Sequence, residues 1–217
     1  MEKSKRFEVL RRSMVKEQIE ARGVRDKLVL SAFKVLPRHL FVPEDLQDSA
    51  YDDAPLPIGG GQTISQPYIV ALMSEALDVS SGDKVLEVGT GSGYQAGILA
   101  AMGCKVYSIE KDPVLSKKAE KALASCGLGE EVKFFVGDGT LGLPEFAPYD
   151  AIIVTAGAPS VPPALKEQLR PEEGVLVIPV GTMGSQELLK IVREGDLYRQ
   201  ISLGGVRFVP LTGERGW

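Results

Sequence analysis

A strand-like run that breaks into spaced glycines constrains this chain more than any other stretch. Val85, Leu86, Glu87 and Val88 are β-rich, Gly89, Gly91 and Gly93 follow, and Tyr94 opens a helical pattern. Glycine is required where the backbone turns with positive φ or where a ligand must lie against bare main chain. Further strand-like runs follow at residues 105–109, 132–136, 151–155 and 175–180, with helical patterns at 94–102, 114–125 and 163–169 between them. Such alternation predicts an α/β fold with a parallel, doubly wound Rossmann-like sheet, and puts the glycines at its first strand-to-helix turn.

The ends of the chain read differently. Phe7, Leu10, Met14, Val15 and Ile19 recur near a 3.6-residue period, so residues 7–22 form an amphipathic helix closed by Gly23. Asp26 caps a second helix over 27–36, Pro37 stops it, and a short third helix follows Pro43. Residues 54–67 hold three prolines and three consecutive glycines, so they are expected to be a long functional loop without regular structure. Pro67 suits a first helical position. In the tail, residues 187–193, 197–203 and 206–211 read as successive strands, an antiparallel extension of the sheet edge. The expectation is one domain over 1–217: N-terminal helices and loop (1–66), an α/β core (67–183) and C-terminal strands (184–217).

Glu110 ends the second strand-like run, 17 residues beyond Gly93, where a carboxylate accepts hydrogen bonds from ribose hydroxyls. Asp138 and Gly139 follow the third run, at a position suited to an adenine amino group, although Asp-Gly is also a common turn. The glycine pattern also satisfies Gly-x-Gly-x-x-Ala, so a nicotinamide dinucleotide competes with S-adenosylmethionine as the ligand. Glu87 is the discriminator: a carboxylate just before the glycines repels a pyrophosphate and attracts an ammonium and a sulfonium.

Composition removes other classes. A formal charge of −4 argues against nucleic acid held through phosphates. The basic cluster of Lys3, Lys5, Arg6, Arg11 and Arg12 reads as a solvated helix face. His39 is the single histidine, set between apolar residues, so it is expected to be structural or surface-polar and not catalytic, and no metal site is expected. Cys104 and Cys126 read as free thiols. No apolar stretch is long enough to span a bilayer and no signal segment leads the chain, so a cytoplasmic protein without membrane contact is expected. The chain contains no asparagine, which is compatible with a heat-adapted source.

Six segments together resemble one family. They are Pro55 to Ile58, the run Gln62-Thr63-Ile64-Ser65-Gln66-Pro67, Leu86 to Tyr94, Gly137 to Gly139, Tyr149 to Pro159, and Phe208 to Thr212. The chain is similar over nearly its whole length to the protein-L-isoaspartate O-methyltransferases. The Thr63-Ile64-Ser65 run and the Val209 to Thr212 tail are the more particular of these segments. The resemblance implies a methyltransferase-type Rossmann sheet with additions at both ends. It implies S-adenosylmethionine as methyl donor, with S-adenosylhomocysteine as product, and isoaspartyl residues of damaged proteins as acceptors. It also implies that Ser65 is the active-site residue and that Thr63, Ile64, Glu110, Asp138, Gly139 and Thr212 border the cofactor. A monomer is expected.

The chemistry of that acceptor asks little of the protein. An α-carboxylate has a pKa near 3 to 4, so it is ionised at neutral pH and needs no general base. Spacing alone leaves Ser65 two roles, a cap for the helix opening at Pro67 or a hydroxyl that orients the incoming carboxylate.

Overall fold

The computed structural model describes residues 2–217; Met1, which opens the expected N-terminal section, lies outside them. Seven strands form the main sheet: β3 (Lys84–Val88), β4 (Lys105–Glu110), β5 (Val132–Val136), β6 (Ala151–Val154), β7 (Glu172–Thr182), β8 (Ser185–Glu194) and β9 (Leu197–Val206). Their spatial order is β5-β4-β3-β6-β7-β8-β9. The first five are parallel, and β8 and β9 add antiparallel to β7.

From β3 the chain steps outward through β4 to β5, then returns to the other side of β3 as β6 and continues to β7. Right-handed crossovers therefore put α4 (Tyr94–Ala101) and α5 (Pro113–Ser125) on one face and α6 (Pro163–Glu167) on the other. Strand side chains alternate between the two covers: Ala151 and Ile153 join one apolar cluster, while Ile152 and Val154 join the other. All four are fully buried, as expected for strands covered on both faces.

The N-terminal helices thicken the α4 side. Helix α1 (Glu2–Ser13) runs on through a π-helical stretch, Met14–Ile19, into a 3₁₀ turn, Glu20–Arg22. It buries Met14, Val15 and Ile19 and ends at Gly23, whose φ is 102°. Helix α2 (Lys27–Val35) is capped as expected, with Asp26 Oδ1 accepting from Val29 N at 2.9 Å. The segment after Pro43 is a 3₁₀ helix, Glu44–Ser49. His39 is packed: its Nδ1 lies 2.7 Å from the Tyr51 hydroxyl and its ring stacks on Phe7 at 4.1 Å. Cys104 is buried, which pushes its thiol up to about 12, and Cys126 is half-buried; both are free. In the basic cluster, Arg6 pairs with Asp48 and Arg12 with Glu8 at the surface.

Two expectations for local structure are corrected. Residues 54–67 are not irregular throughout, because β1 (Leu56–Gly59) and β2 (Gln62–Ile64) pair as an antiparallel hairpin. Gly59, Gly60 and Gly61, read as strand breakers, all have positive φ and supply the turn. Residues 206–211 do not form a further strand. Beyond Val206 the chain leaves the sheet edge and crosses to residue 157, where Gly157 N donates to Val209 O and Leu211 N to Gly157 O.

Candidate active site

The order of the sheet reverses beside β3, and the carboxyl ends of β3, β4 and β6 open there into a cleft, the usual ligand position in such sheets. Its floor is Gly89 to Ser92, one side carries Ile109, Glu110 and Gly139, and the other carries Thr155 and Ala156. Thr63, Ile64 and Ser65 roof it, and Val209 to Thr212 close its far end. Residues from six separate parts of the chain thus meet at one cleft.

The floor is bare by necessity. Gly89 has φ 95°, and a Cβ there would stand 2.5 Å from Thr155 Oγ1. The same hydroxyl donates to the Gly89 carbonyl, tying the end of β6 to the glycine turn. Gly93 does different work. It caps α4 with φ 83°, and its Cβ would meet Ala119 Cβ at 2.8 Å, so it lets α4 pack on α5 and does not line the cleft.

Glu110 stands on the cleft wall with its carboxylate already oriented. Oε2 accepts from Gly91 N at 2.9 Å and Oε1 from Asp112 N at 3.0 Å. A carboxylate has about four acceptor positions, so two remain for a diol. The carboxylate and the Cβ-free floor together fit the ribose and backbone-hugging middle of S-adenosylmethionine.

Glu87 does not play the part expected of it. It is fully buried beneath the turn and absent from the cleft wall. Burial pushes its carboxyl up to about 8, so at neutral pH it is an uncharged acid. Ser108 bonds it, and the Ser108 hydroxyl also meets Thr90 Oγ1. The electrostatic case against a dinucleotide is weakened, because burial favours the neutral form of this carboxyl and keeps it off the cleft wall.

Asp138 is also placed differently. Its Oδ1 accepts from Thr140 N at 2.9 Å and Thr140 Oγ1 at 2.7 Å, and its Oδ2 from Glu214 N at 2.7 Å. Partial burial opposes its ionisation, but these hydrogen bonds and nearby Lys111 hold the carboxyl below its usual range. It fastens the C-terminal segment and does not line the cleft, whereas the neighbouring Gly139 does.

Ser65 resolves one open alternative. The helix α3 (Pro67–Ala76) has Gln66 at its N-cap and no side-chain capping bond, so the cap role is not taken up. Ser65 and Thr63 border both the first cleft and a second, of about 650 Å³, walled by Tyr68, Ile69, Ser185, Val206 and Phe208. Sequence reasoning missed Thr155, Tyr94 and Lys111 as cleft residues. Thr155, at the carboxyl end of the strand beside the reversal point, was open to inference from topology; the other two were not.

Comparisons with known proteins identify the family. A family model described as protein-L-isoaspartate(D-aspartate) O-methyltransferase matches residues 10–216. The chain belongs to this family. It is 53% identical over 207 residues to a protein-L-isoaspartate O-methyltransferase of Methanoculleus marisnigri, covering 95% of this chain and 93% of that one. A Marinobacter nauticus protein-L-isoaspartate O-methyltransferase 2 is 55% identical over 210 residues, covering 96% and 95%. A solved protein-L-isoaspartate O-methyltransferase superposes with TM-score 0.84 at 29% identity, over 95% of this chain and 67% of the other. A Plasmodium falciparum structure, solved with S-adenosyl-L-homocysteine, shares the fold at TM-score 0.80 and 24% identity, over 95% and 98% of the two chains.

Proposed function

We propose that this enzyme transfers a methyl group from S-adenosylmethionine to the free α-carboxylate of L-isoaspartyl residues in damaged proteins. The observation that carries the reading is the position of Ser65, at the boundary between a glycine-floored cleft and a second cleft open to a peptide. When bound, the donor supplies an activated methyl group on a cationic sulfur. Gly89, Gly91 and Gly139 give its nucleoside half room, Glu110 accepts its ribose hydroxyls, and Thr63, Ile64 and Thr212 enclose it.

Ser65 donates a hydrogen bond to the incoming carboxylate and aims one oxygen along the line of transfer. Alignment of an already ionised acceptor accounts for most of the catalysis, so the absence of a histidine from the cleft is no obstacle. The product ester is then open to attack by the backbone amide that follows it. Methanol leaves, and the resulting succinimide hydrolyses in part to normal aspartate without the enzyme.

The whole chain acts as one domain, a monomer in the cytoplasm. Among the described residues no helix is long and apolar enough to cross a membrane. Labelled S-adenosylmethionine offered with matched isoaspartyl and aspartyl peptides tests the reaction: base-labile label is expected on the isoaspartyl peptide alone. Label on both peptides, or on neither, overturns the reading. In the same assay Ser65→Ala lowers kcat with donor affinity nearly unchanged, whereas Glu110→Ala weakens donor binding.

A further inference from the structure

Arg38 is fully buried, yet among the described residues no carboxylate lies within ion-pair distance of it. Fully buried arginines are rare unless paired, because an uncompensated charge in a poorly polarisable interior is costly. Its bonds go to backbone: Nε donates to Ala50 O at 2.7 Å and Nη2 to Ser65 O at 2.8 Å. Nη1 has no partner, and neither does the buried hydroxyl of Tyr94, whose ring the guanidinium overlies at 4.9 Å. Burial lowers the Arg38 pKa to about 10, so the group is still cationic wherever the enzyme works.

Two of the three neighbours of this cation, Ser65 and Tyr94, are on the cleft wall. One layer of protein therefore separates an unneutralised positive charge from the place assigned to the substrate carboxylate. The bond to the Ser65 carbonyl also fixes the Ser65–Gln66 peptide plane. In a trans peptide the carbonyl and the following N–H point in opposite directions, so holding one sets the other.

We infer that Arg38 is a positioning residue for the methyl acceptor: it locks the Ser65 main chain by one hydrogen bond and supplies the positive potential that selects a carboxylate at Ser65. The substrate anion is the counter-ion the folded chain lacks. This inference rests on the proposed reaction and adds a source of acceptor selectivity to it. No element of sequence periodicity marks Arg38, which sits on a 3₁₀ turn, Arg38–Phe41, directly after Pro37.

The test uses an isoaspartyl peptide and its twin bearing an α-carboxamide, each titrated into the full-length protein with S-adenosylhomocysteine present to prevent turnover. The wild type is expected to prefer the carboxylate peptide. In Arg38→Met that preference shrinks by roughly tenfold, while affinity for S-adenosylhomocysteine alone stays within about twofold. A purely structural role would weaken both peptides in parallel, and an unchanged carboxylate-to-carboxamide ratio overturns the inference. Arg38→Lys keeps the charge but loses the planar fork whose two nitrogens span the Ala50 and Ser65 carbonyls, so it retains the preference and loses kcat. Loss of the preference in the lysine variant, or a wild-type kcat, also overturns it, even if the methionine variant fails to fold. A wild-type protein that methylates no isoaspartyl peptide removes the parent reading as well, and that result is recognisable before any variant is made.

Discussion

Glu87 and Glu110 end up with opposite chemistry, although both stand on adjacent strands of the same sheet. Glu110 reaches the cleft and meets two backbone N–H groups, so it is a fixed acceptor. Glu87 points into the protein, where burial raises its pKa from 4.5 to about 8, opposed by a hydrogen bond from Ser108 and reinforced by the charge of Glu110. The unfolded chain releases this proton near pH 4.5 and the folded protein holds it until about 8. Folding is therefore favoured fully below the lower value, and this contribution is lost as the pH rises towards the upper one. Each pH unit in that window costs the wild type up to about 1.4 kcal/mol. Glu87→Gln, uncharged throughout, should gain in melting temperature relative to the wild type between pH 5 and 8. Melting curves for the pair that stay parallel across this range would show that Glu87 is ionised in the fold. Neither fate was visible in the residue type, because burial is a property of the neighbours.

Among the elements, the C-terminal segment shows best how a local pattern is overruled. Residues 206–211 have strand composition, but the register of β9 ends at Val206 and the backbone turns away to meet residue 157. Glu214 N is held by Asp138, Arg215 N by Thr140 Oγ1 at 3.2 Å, and Trp217 Nε1 by Gly157 O at 3.1 Å. Gly213 passes so close to Asp138 Oδ1 that a Cβ would overlap it. Asp138 is thus, with Gly157, one of the anchors that keep Leu211 and Thr212 on the cleft wall. Asp138→Ala should release the segment, raising amide exchange at residues 211–217 and weakening donor binding several-fold without unfolding the sheet. Unchanged exchange with weakened binding would instead return Asp138 to a direct contact with the adenine. The hairpin at Leu56–Gly59 and Gln62–Ile64 makes the complementary point. Its three glycines disfavour helix, and their positive φ is what the tight hairpin turn requires.

For the molecule as a whole, the cleft joins the glycine turn, the roof over it and the C-terminal segment, which belong to distant parts of the chain, and the proposed donor site spans all three. A ligand at one hundred times its dissociation constant stabilises the folded state by about 2.7 kcal/mol, which for a protein of this size raises the melting temperature by roughly 5–10 °C. S-adenosylmethionine and S-adenosylhomocysteine should both do so, and NADH should not. A shift with NADH alone would restore the dinucleotide reading that the neutral Glu87 no longer opposes on electrostatic grounds.

Order of residues by itself determined the layered α/β plan, the five parallel strands, the glycine turn, the helix cap at Asp26, the helix start at Pro67, and membership of one family. These are read from short-range regularities: side-chain period, turn chemistry, and local runs particular to one family. Only the tertiary structure decided which carboxylates face the cleft, that Asp138 binds the tail, that Gly93 serves packing, and that Arg38 lies unpaired behind Ser65. Those outcomes depend on distances between residues far apart in the chain, and therefore on burial and electrostatic environment, which no local pattern encodes.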